Sequence, residues 1–256
     1  MKILVIGETC IDKFVYGRCN RLCPEAPVPV FTPLYEVDNS GGMAKNVYQN
    51  LLNLGVDVTL LTQDLIKPPI KCRYVDEMSN HMFLRVDEND EVPLITIEQL
   101  NSIKYCEYDA IMIIDYDKGF LDVANIINIT KNHSLVFLDT KKEIKYWANN
   151  IKYIKVNENE FQRSKKYLTE NYPHNLIVTL GRDGALHYNT KKIVKPEKGV
   201  EVRDVAGAGD TFFAAFVVNL LKNDDIYQAL CFANKCASWV VTQRGVVAID
   251  LNKINN

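Results

Sequence analysis

The stretch Asp204-Val205-Ala206-Gly207-Ala208-Gly209-Asp210-Thr211-Phe212-Phe213 decides the fold. It reads as a glycine-rich turn, a single acid, and an apolar run at helical spacing through Phe212, Phe213, Phe216 and Val217. Such a turn aims several backbone N–H groups at one spot, at the positive end of a helix dipole, where an anion can sit. Beside a bound phosphate, an aspartate in that place can take the proton of an attacking hydroxyl. The stretch therefore points to phosphoryl transfer onto an alcohol. An ordinary helix start uses the same residue types, since Asp is a good N-cap and Gly is common in turns. The weight rests on what surrounds it.

Outward from that turn, short apolar, β-branched runs alternate with helical patterns. Strands are predicted at Ile3–Ile6, Val58–Leu61, Ala110–Ile114, Ser134–Leu138, Tyr153–Val156 and Leu176–Thr179. Helices are predicted at Ala44–Leu54, Val123–Lys131, Glu158–Tyr167, Thr211–Leu221 and Ile226–Thr242. Continuous apolar strands between amphipathic helices give an α/β fold, with a mostly parallel sheet covered on both faces. Ligands of such sheets sit past the C-terminal strand ends. Two stretches break the rhythm: the proline-spaced segment 12–34 and the hairpin-like segment 71–87. They are expected to form a small antiparallel lid over the sheet edge.

The 256 residues suffice for one large core, so a single domain over 1–256 is expected. A net charge of −2 offers no basic field for nucleic acid or an anionic membrane, and no apolar run reaches membrane-spanning length. Seven scattered cysteines, an odd number, indicate free thiols in a reduced, cytoplasmic compartment. The histidines at 81, 133, 174 and 187 form no ligand pattern.

Further polar or glycine clusters follow predicted strands or open helices: Gly7-Glu8-Thr9-Cys10-Ile11-Asp12, Ser40-Gly41-Gly42-Met43-Ala44-Lys45-Asn46, Asp115-Tyr116-Asp117-Lys118-Gly119, Asp139-Thr140-Lys141, Asn157-Glu158-Asn159-Glu160 and Thr179-Leu180-Gly181-Arg182-Asp183-Gly184. In this order, with Asp-x-x-Gly-Ala-Gly-Asp, the set resembles the ribokinase-like (PfkB) carbohydrate kinases over nearly the whole chain. The run from Arg21 through Pro24-Glu25-Ala26-Pro27-Val28-Pro29-Val30, with Asp115-Tyr116-x-Lys118-Gly119 and Phe83-Leu84-Arg85-Val86-Asp87, is similar to the bacterial heptose 7-phosphate kinases of that family.

The resemblance implies a ribokinase-like core, ATP and Mg²⁺, and room for a monovalent cation. It implies Asp210 as the base, with the backbone of Gly207, Ala208 and Gly209 as the anion hole. Asn157 and Glu160 would order magnesium waters, although a capping box produces the same spacing. Thr179, Gly181, Gly184 and Asn234 would line the nucleotide. Asp12, Gly41, Gly42 and Asn46 would meet the sugar hydroxyls, and Arg85, Lys118 and Lys141, with Arg21 and Arg73, are cations for an acceptor phosphate. A homodimer through the lid is also implied.

The sequence departs from the family in places. Only residues 62–70 separate the early sheet strands from the lid, where a helix and a strand are usual, and Pro68-Pro69 rule out a helix. Val205 and Ala206 stand where threonines are usual, Asp117 where Gly is common, and Glu8 where Asp is usual in the heptose kinases. These departures leave open a kinase for another sugar, sugar phosphate or nucleoside, or a non-catalytic binder on the same fold.

Overall fold

The computed structural model describes residues 1–168, 175–196 and 199–254; His174 lies outside them. The chain opens with β1 (Lys2–Gly7), whose alternation divides two cores: Ile3 and Val5 face one, Leu4 and Ile6 the other. It then leaves the sheet as two long arms, β2 (Thr9–Leu22) and β3 (Pro29–Met43), and returns as α1 (Ala44–Asn53) and β4 (Asp57–Leu61). A second excursion makes β5 (Ile70–Asp76) and β6 (Met82–Glu88). The short α2 (Ile97–Asn101) leads into β7 (Ala110–Asp115), α3 (Val123–Asn132), β8 (Val136–Thr140), β9 (Tyr153–Asn157), α4 (Glu158–Ser164) and β10 (Leu176–Thr179). The small strands β11 (Ala185–His187) and β12 (Lys192–Val194) precede α5 (Ala208–Asn223), α6 (Ile226–Val240) and α7 (Leu251–Ile254).

The main sheet has the order β12-β11-β10-β9-β8-β7-β1-β4; β4 through β10 pair in parallel, and β11 and β12 add antiparallel. One face packs on α1, α5 and α6 through Val47, Leu51, Phe213, Phe216 and Leu230. The other buries Ile111, Ile113, Ile126, Ile129, Leu138 and Ile154. A parallel sheet wants both faces covered, which is why its strands read as unbroken apolar runs. All the site loops then leave the same edge.

The lid is a four-stranded sheet in the order β3-β2-β5-β6, and it is larger than the 12–34 and 71–87 segments predicted. It is also not wholly antiparallel, because β2 and β5 pair in parallel from Ile11↔Ile70 to Gly17↔Asp76. The prolines hid the arms. Pro33 is tolerated because β3 is an edge strand, and the pairing slips between Tyr16 and Gly17, beside it. The lid rests on the core through Phe14, Tyr16 and Val75 against Ala206 and Val246. Asn80, in the β5–β6 turn, donates to the Arg203 carbonyl at 2.8 Å.

Smaller corrections have local causes. The strand expected from Ser134 begins at Val136, since the Leu135 amide bonds the His133 ring instead. The helix expected over Glu158–Tyr167 ends at Ser164 and tightens into a 3₁₀ turn at Lys165–Tyr167. The helix expected from Thr211 already starts at Ala208. Residues 62–69 carry no helix or strand, and β4 is left as the sheet edge.

Candidate active site

Gly207 takes φ 78°, a left-handed conformation natural to glycine, and turns the chain into α5. No side chain caps this helix; the Ala208 amide donates to the Val205 carbonyl at 3.3 Å, and Gly207, Gly209 and Asp210 line the cleft. Asp210 sits in that first turn, buried, and each of its oxygens carries one donor: Tyr116 Oη to Oδ1 at 2.7 Å and Asn46 Nδ2 to Oδ2 at 3.2 Å. Burial, then the charge of Asp139, pushes its carboxyl above the ordinary aspartate range, against the pull of Lys155, Tyr116 and Asn46. A side chain on Gly209 would stand 3.0 Å from Lys155 Nζ, so this ammonium lies against the turn.

Lys155 carries no motif of its own and has no place among the expected site residues. Register puts it opposite Asp139 across β8 and β9, and the pair is closed at 2.6 Å with both residues buried. Burial alone would lower the Lys155 ammonium; Asp139, then Asp210 and Glu160, outweigh it and hold the group charged. Asp139 Oδ1 has no partner among the described residues. Asn157 and Glu160 do form a capping box: Asn157 Oδ1 accepts from the Glu160 amide at 2.9 Å, and Glu160 Oε2 accepts from the Asn157 amide at 2.7 Å. Glu160 Oε1 also takes Lys141 Nζ at 2.5 Å. Among the described residues no cluster of three His, Cys, Asp or Glu forms a direct metal cage. The amide and carboxylate oxygens of Asn157 and Glu160 are donors of the kind that suit a hard cation held through its waters.

Two cavities adjoin along Thr179, Gly181, Val205 and Gly209. One, of about 530 Å³, holds Tyr116, Lys155, Asn157 and Asp210. The other, of about 240 Å³, is walled by Phe212, Ala237, Val241 and Asn234. Asn234 is buried rather than solvated, and its amide is spent on the Val194 carbonyl at 2.8 Å, so it shapes that wall. Gly184, at φ 95°, lies so close to the Val194 carbonyl that a side chain would meet it at 2.1 Å.

On the lid side, Asp12 is buried and Arg73 Nη1 donates to its Oδ1 at 2.5 Å. Gly42 is pressed on the same carboxylate; a side chain there would come within 2.2 Å of Asp12 Oδ2. Gly41 precedes it at the end of β3. Asn46, expected as a sugar contact, is buried, and its amide bridges Asp210 and the Gly207 carbonyl. The expected phosphate cations are mostly paired: Lys118 with Asp90, Lys141 with Glu160, and Arg85 with Asp87 through two bonds of 2.8 and 2.9 Å. Arg85 nonetheless pairs across strands with Arg73 and so shares the lid face that looks into the cleft. Arg21 lies near the far end of β2. Lys71, which no motif marked, lies with its Nζ 4.7 Å from the Tyr116 ring centre and has no carboxylate partner among the described residues. Glu8, fully buried, binds the Tyr116 and Lys118 amides at 2.9 and 3.1 Å, and Asp117 takes φ 59° between them. Lys142 closes this loop on Asp115 and Asp117 at 2.9 and 2.6 Å.

The chain is similar to the bifunctional protein HldE of Nitratiruptor (29% identity, 99% of this chain) and of Campylobacter jejuni strain RM1221 (29% identity, 100% of this chain). It spans 64% of the length of each of these relatives. The match to the first runs over 297 residues, more than the chain has, so the relative carries segments that this one lacks. In fold it is similar to ribokinase from Thermotoga maritima (TM-score 0.75, 18% identity, 99% of this chain and 97% of that one). It is similar too to phosphofructokinase-2 from Escherichia coli (TM-score 0.75, 14% identity, 100% and 97%). The pfkB family carbohydrate kinase profile matches residues 82–253, through the Asn157–Glu160 box and the Gly207–Asp210 turn. The fold is ribokinase-like, and the chain belongs to the pfkB family of carbohydrate kinases.

Proposed function

We propose that residues 1–256 form one kinase domain that transfers the γ-phosphoryl group of ATP to the anomeric hydroxyl of a heptose 7-phosphate, giving the 1,7-bisphosphate. The observation that carries the transfer chemistry is the buried Asp210 at the uncapped start of α5, where the two cavities meet. The base and ribose of ATP occupy the apolar cavity, between Gly181, Gly184 and the Asn234 wall, and its phosphates run past Thr179 and Gly209 toward Asp210. The acceptor lies under the lid on Asp12, Gly41 and Gly42. Its hydroxyl oxygen attacks the γ-phosphorus, the bond to the ADP oxygen breaks, and the hydroxyl proton passes to the Asp210 carboxylate. The α5 N–H groups of Ala208 and Gly209, at the Gly207 turn, together with Lys155, stabilise the charge on the transferring group.

Mg²⁺ arriving with the nucleotide would be held through its waters by Asn157 and Glu160, and supplies charge neutralisation. The family resemblance allows a monovalent cation as well. Lys71, Arg85 and Lys118 face an acceptor that carries its own phosphate, and the uncompensated Lys71 supports that reading best. Lys141 is assigned instead to charge balance at Glu160. The apolar outer face of the lid supports a homodimer, and reduced thiols a cytoplasmic setting. No helix among the described residues is long and apolar enough to cross a membrane.

One observation favours a second acceptor reading. β4 is the sheet edge where the family resemblance implies a further helix and strand, and a site with one edge shortened suits a different sugar or sugar phosphate. Both readings are separated by ADP formation from Mg-ATP over a panel of heptose 7-phosphate, fructose phosphates, ribose, free hexoses and adenosine. Turnover confined to the heptose phosphate is expected. Turnover with another member instead discards the heptose and keeps the chemistry.

A further inference from the structure

One side chain that touches Asp210 has been given no role. Tyr116 donates its phenol hydrogen to Asp210 Oδ1 at 2.7 Å, while Asn46 holds Oδ2. Its own backbone is pinned from below, because the buried Glu8 accepts the Tyr116 amide at 2.9 Å and the Lys118 amide at 3.1 Å. Its ring is held from two further elements, with Lys71 Nζ of β5 at 4.7 Å and Lys141 Nζ, just past β8, at 5.1 Å from the ring centre. Four separate pieces of chain thus fix the direction of one O–H bond.

We infer that Tyr116 is the positioning residue of the catalytic base: its hydroxyl fixes the Asp210 carboxylate and stabilises its charged form, so that the free lone pair faces the acceptor hydroxyl. The inference rests on the reading of Asp210 as the base. A carboxylate with a donor on each oxygen cannot rotate without breaking both bonds, and a phenol donor favours the ion over the acid. The phenol itself stays protonated, since burial and then Asp210 and Asp139 hold it well above its ordinary value of 10. The titratable and charged groups facing the pair are Asp139 and Lys141 from the end of β8, Lys155 from β9, Lys71 from β5 and the buried Cys10 thiol of β2. Of these, Asp139 works against the charged form of Asp210 and Lys155 for it. Tyr116 adds to the pull toward the ion without bringing a charge of its own.

The test is Tyr116→Phe, which keeps the ring under both ammonium groups, assayed with the acceptor found in the panel above. The kcat is expected to fall between about 5-fold and 100-fold while KM for ATP stays the same. The acid limb of the kcat profile is expected to move up by about one pH unit, because the lost donor no longer holds the Asp210 pKa down. Should this variant not fold, 3-fluorotyrosine at position 116 keeps the shape and strengthens the donor, and its acid limb is expected to move down. An unmoved acid limb in a folded variant of either kind overturns the inference, as does a kcat within twofold of wild type for Tyr116→Phe. Asp210→Asn is the separate control on the base: a dead Asp210→Asn beside an unchanged Tyr116→Phe sinks the positioning role alone.

Discussion

Single residues carry the site through what they exclude as much as through what they touch. A methyl group on Gly207 would lie 2.7 Å from Asn46 Nδ2 and 3.1 Å from Val246, at a φ of 78° that costs an alanine about 1–2 kcal/mol. Gly207→Ala is therefore expected to push Asn46 off Asp210 and to lower kcat at least tenfold. Gly55 has a similar φ of 75° with nothing within 4 Å of a methyl group. Gly55→Ala should lose comparable stability in a thermal melt and keep full kcat; equal kcat losses in the two variants would show that crowding of Asn46 is irrelevant. The residues of the turn were legible in the sequence because glycine spacing and an acid before an apolar run need no partner to be read. Lys71 and Lys155 were not, and Tyr116 stood in the Asp115–Gly119 motif without a role, because each acts through a contact with a distant piece of chain, Tyr116, Asp139 and Asp210 respectively.

At the scale of elements, the parallel register of β8 and β9 places Asp139 opposite Lys155 and buries both charges beneath the α5 turn. Removing one partner strands the other. Lys155→Met is expected to cost about 3–5 kcal/mol, a fall in melting temperature of at least about 6 °C. Adding Asp139→Asn should recover part of that loss, and a double variant less stable than Lys155→Met would contradict the pairing as the cause. β1, β4 and β7 to β10, with α1 and α3 to α6, were readable from periodicity to within a few residues at their ends, whereas β11, β12, α2 and α7 are too short to show a period and were not expected. The lid arms were not: Pro24, Pro27, Pro29 and Pro33 argue against strands, and only the position of β3 at an edge, with the first two prolines in the loop between the arms, makes them admissible. The Asn157–Glu160 spacing was legible as both a capping box and a site, and the capping box is present.

Over the whole molecule, the lid has two unlike faces. Asp12, Phe14, Lys71, Arg73 and Val75 look toward the cleft, while Tyr74 on the opposite face meets Phe31 at 5.3 Å and is paired with Leu84. Leu84 is more than half exposed, and Phe83 and Val86 are exposed beside it. An apolar face of this kind wants cover. The loop Pro24-Glu25-Ala26-Pro27 lies beyond Leu22, ten residues of β2 or about 30 Å of strand past Asp12. It therefore lies far from Asp12 of its own chain. A dimer is expected in light scattering at micromolar concentration, and Leu84→Lys is expected to yield monomers with ATP affinity unchanged. A wild-type protein that is monomeric at all concentrations removes the lid interface.

If Asp210 takes the proton of the acceptor hydroxyl, Asp210→Asn exposes it plainly, because the exchange removes a base and almost no volume. ADP formation is expected to fall more than about 10³-fold while ATP binding, followed by calorimetry, stays nearly intact. For the wild-type protein an acid limb above the ordinary aspartate value of 3.8 is expected, since a base whose pKa is raised by burial loses its charge, and the enzyme its activity, as pH falls through that raised value. Turnover by Asp210→Asn within about tenfold of wild type would contradict the assignment of the base.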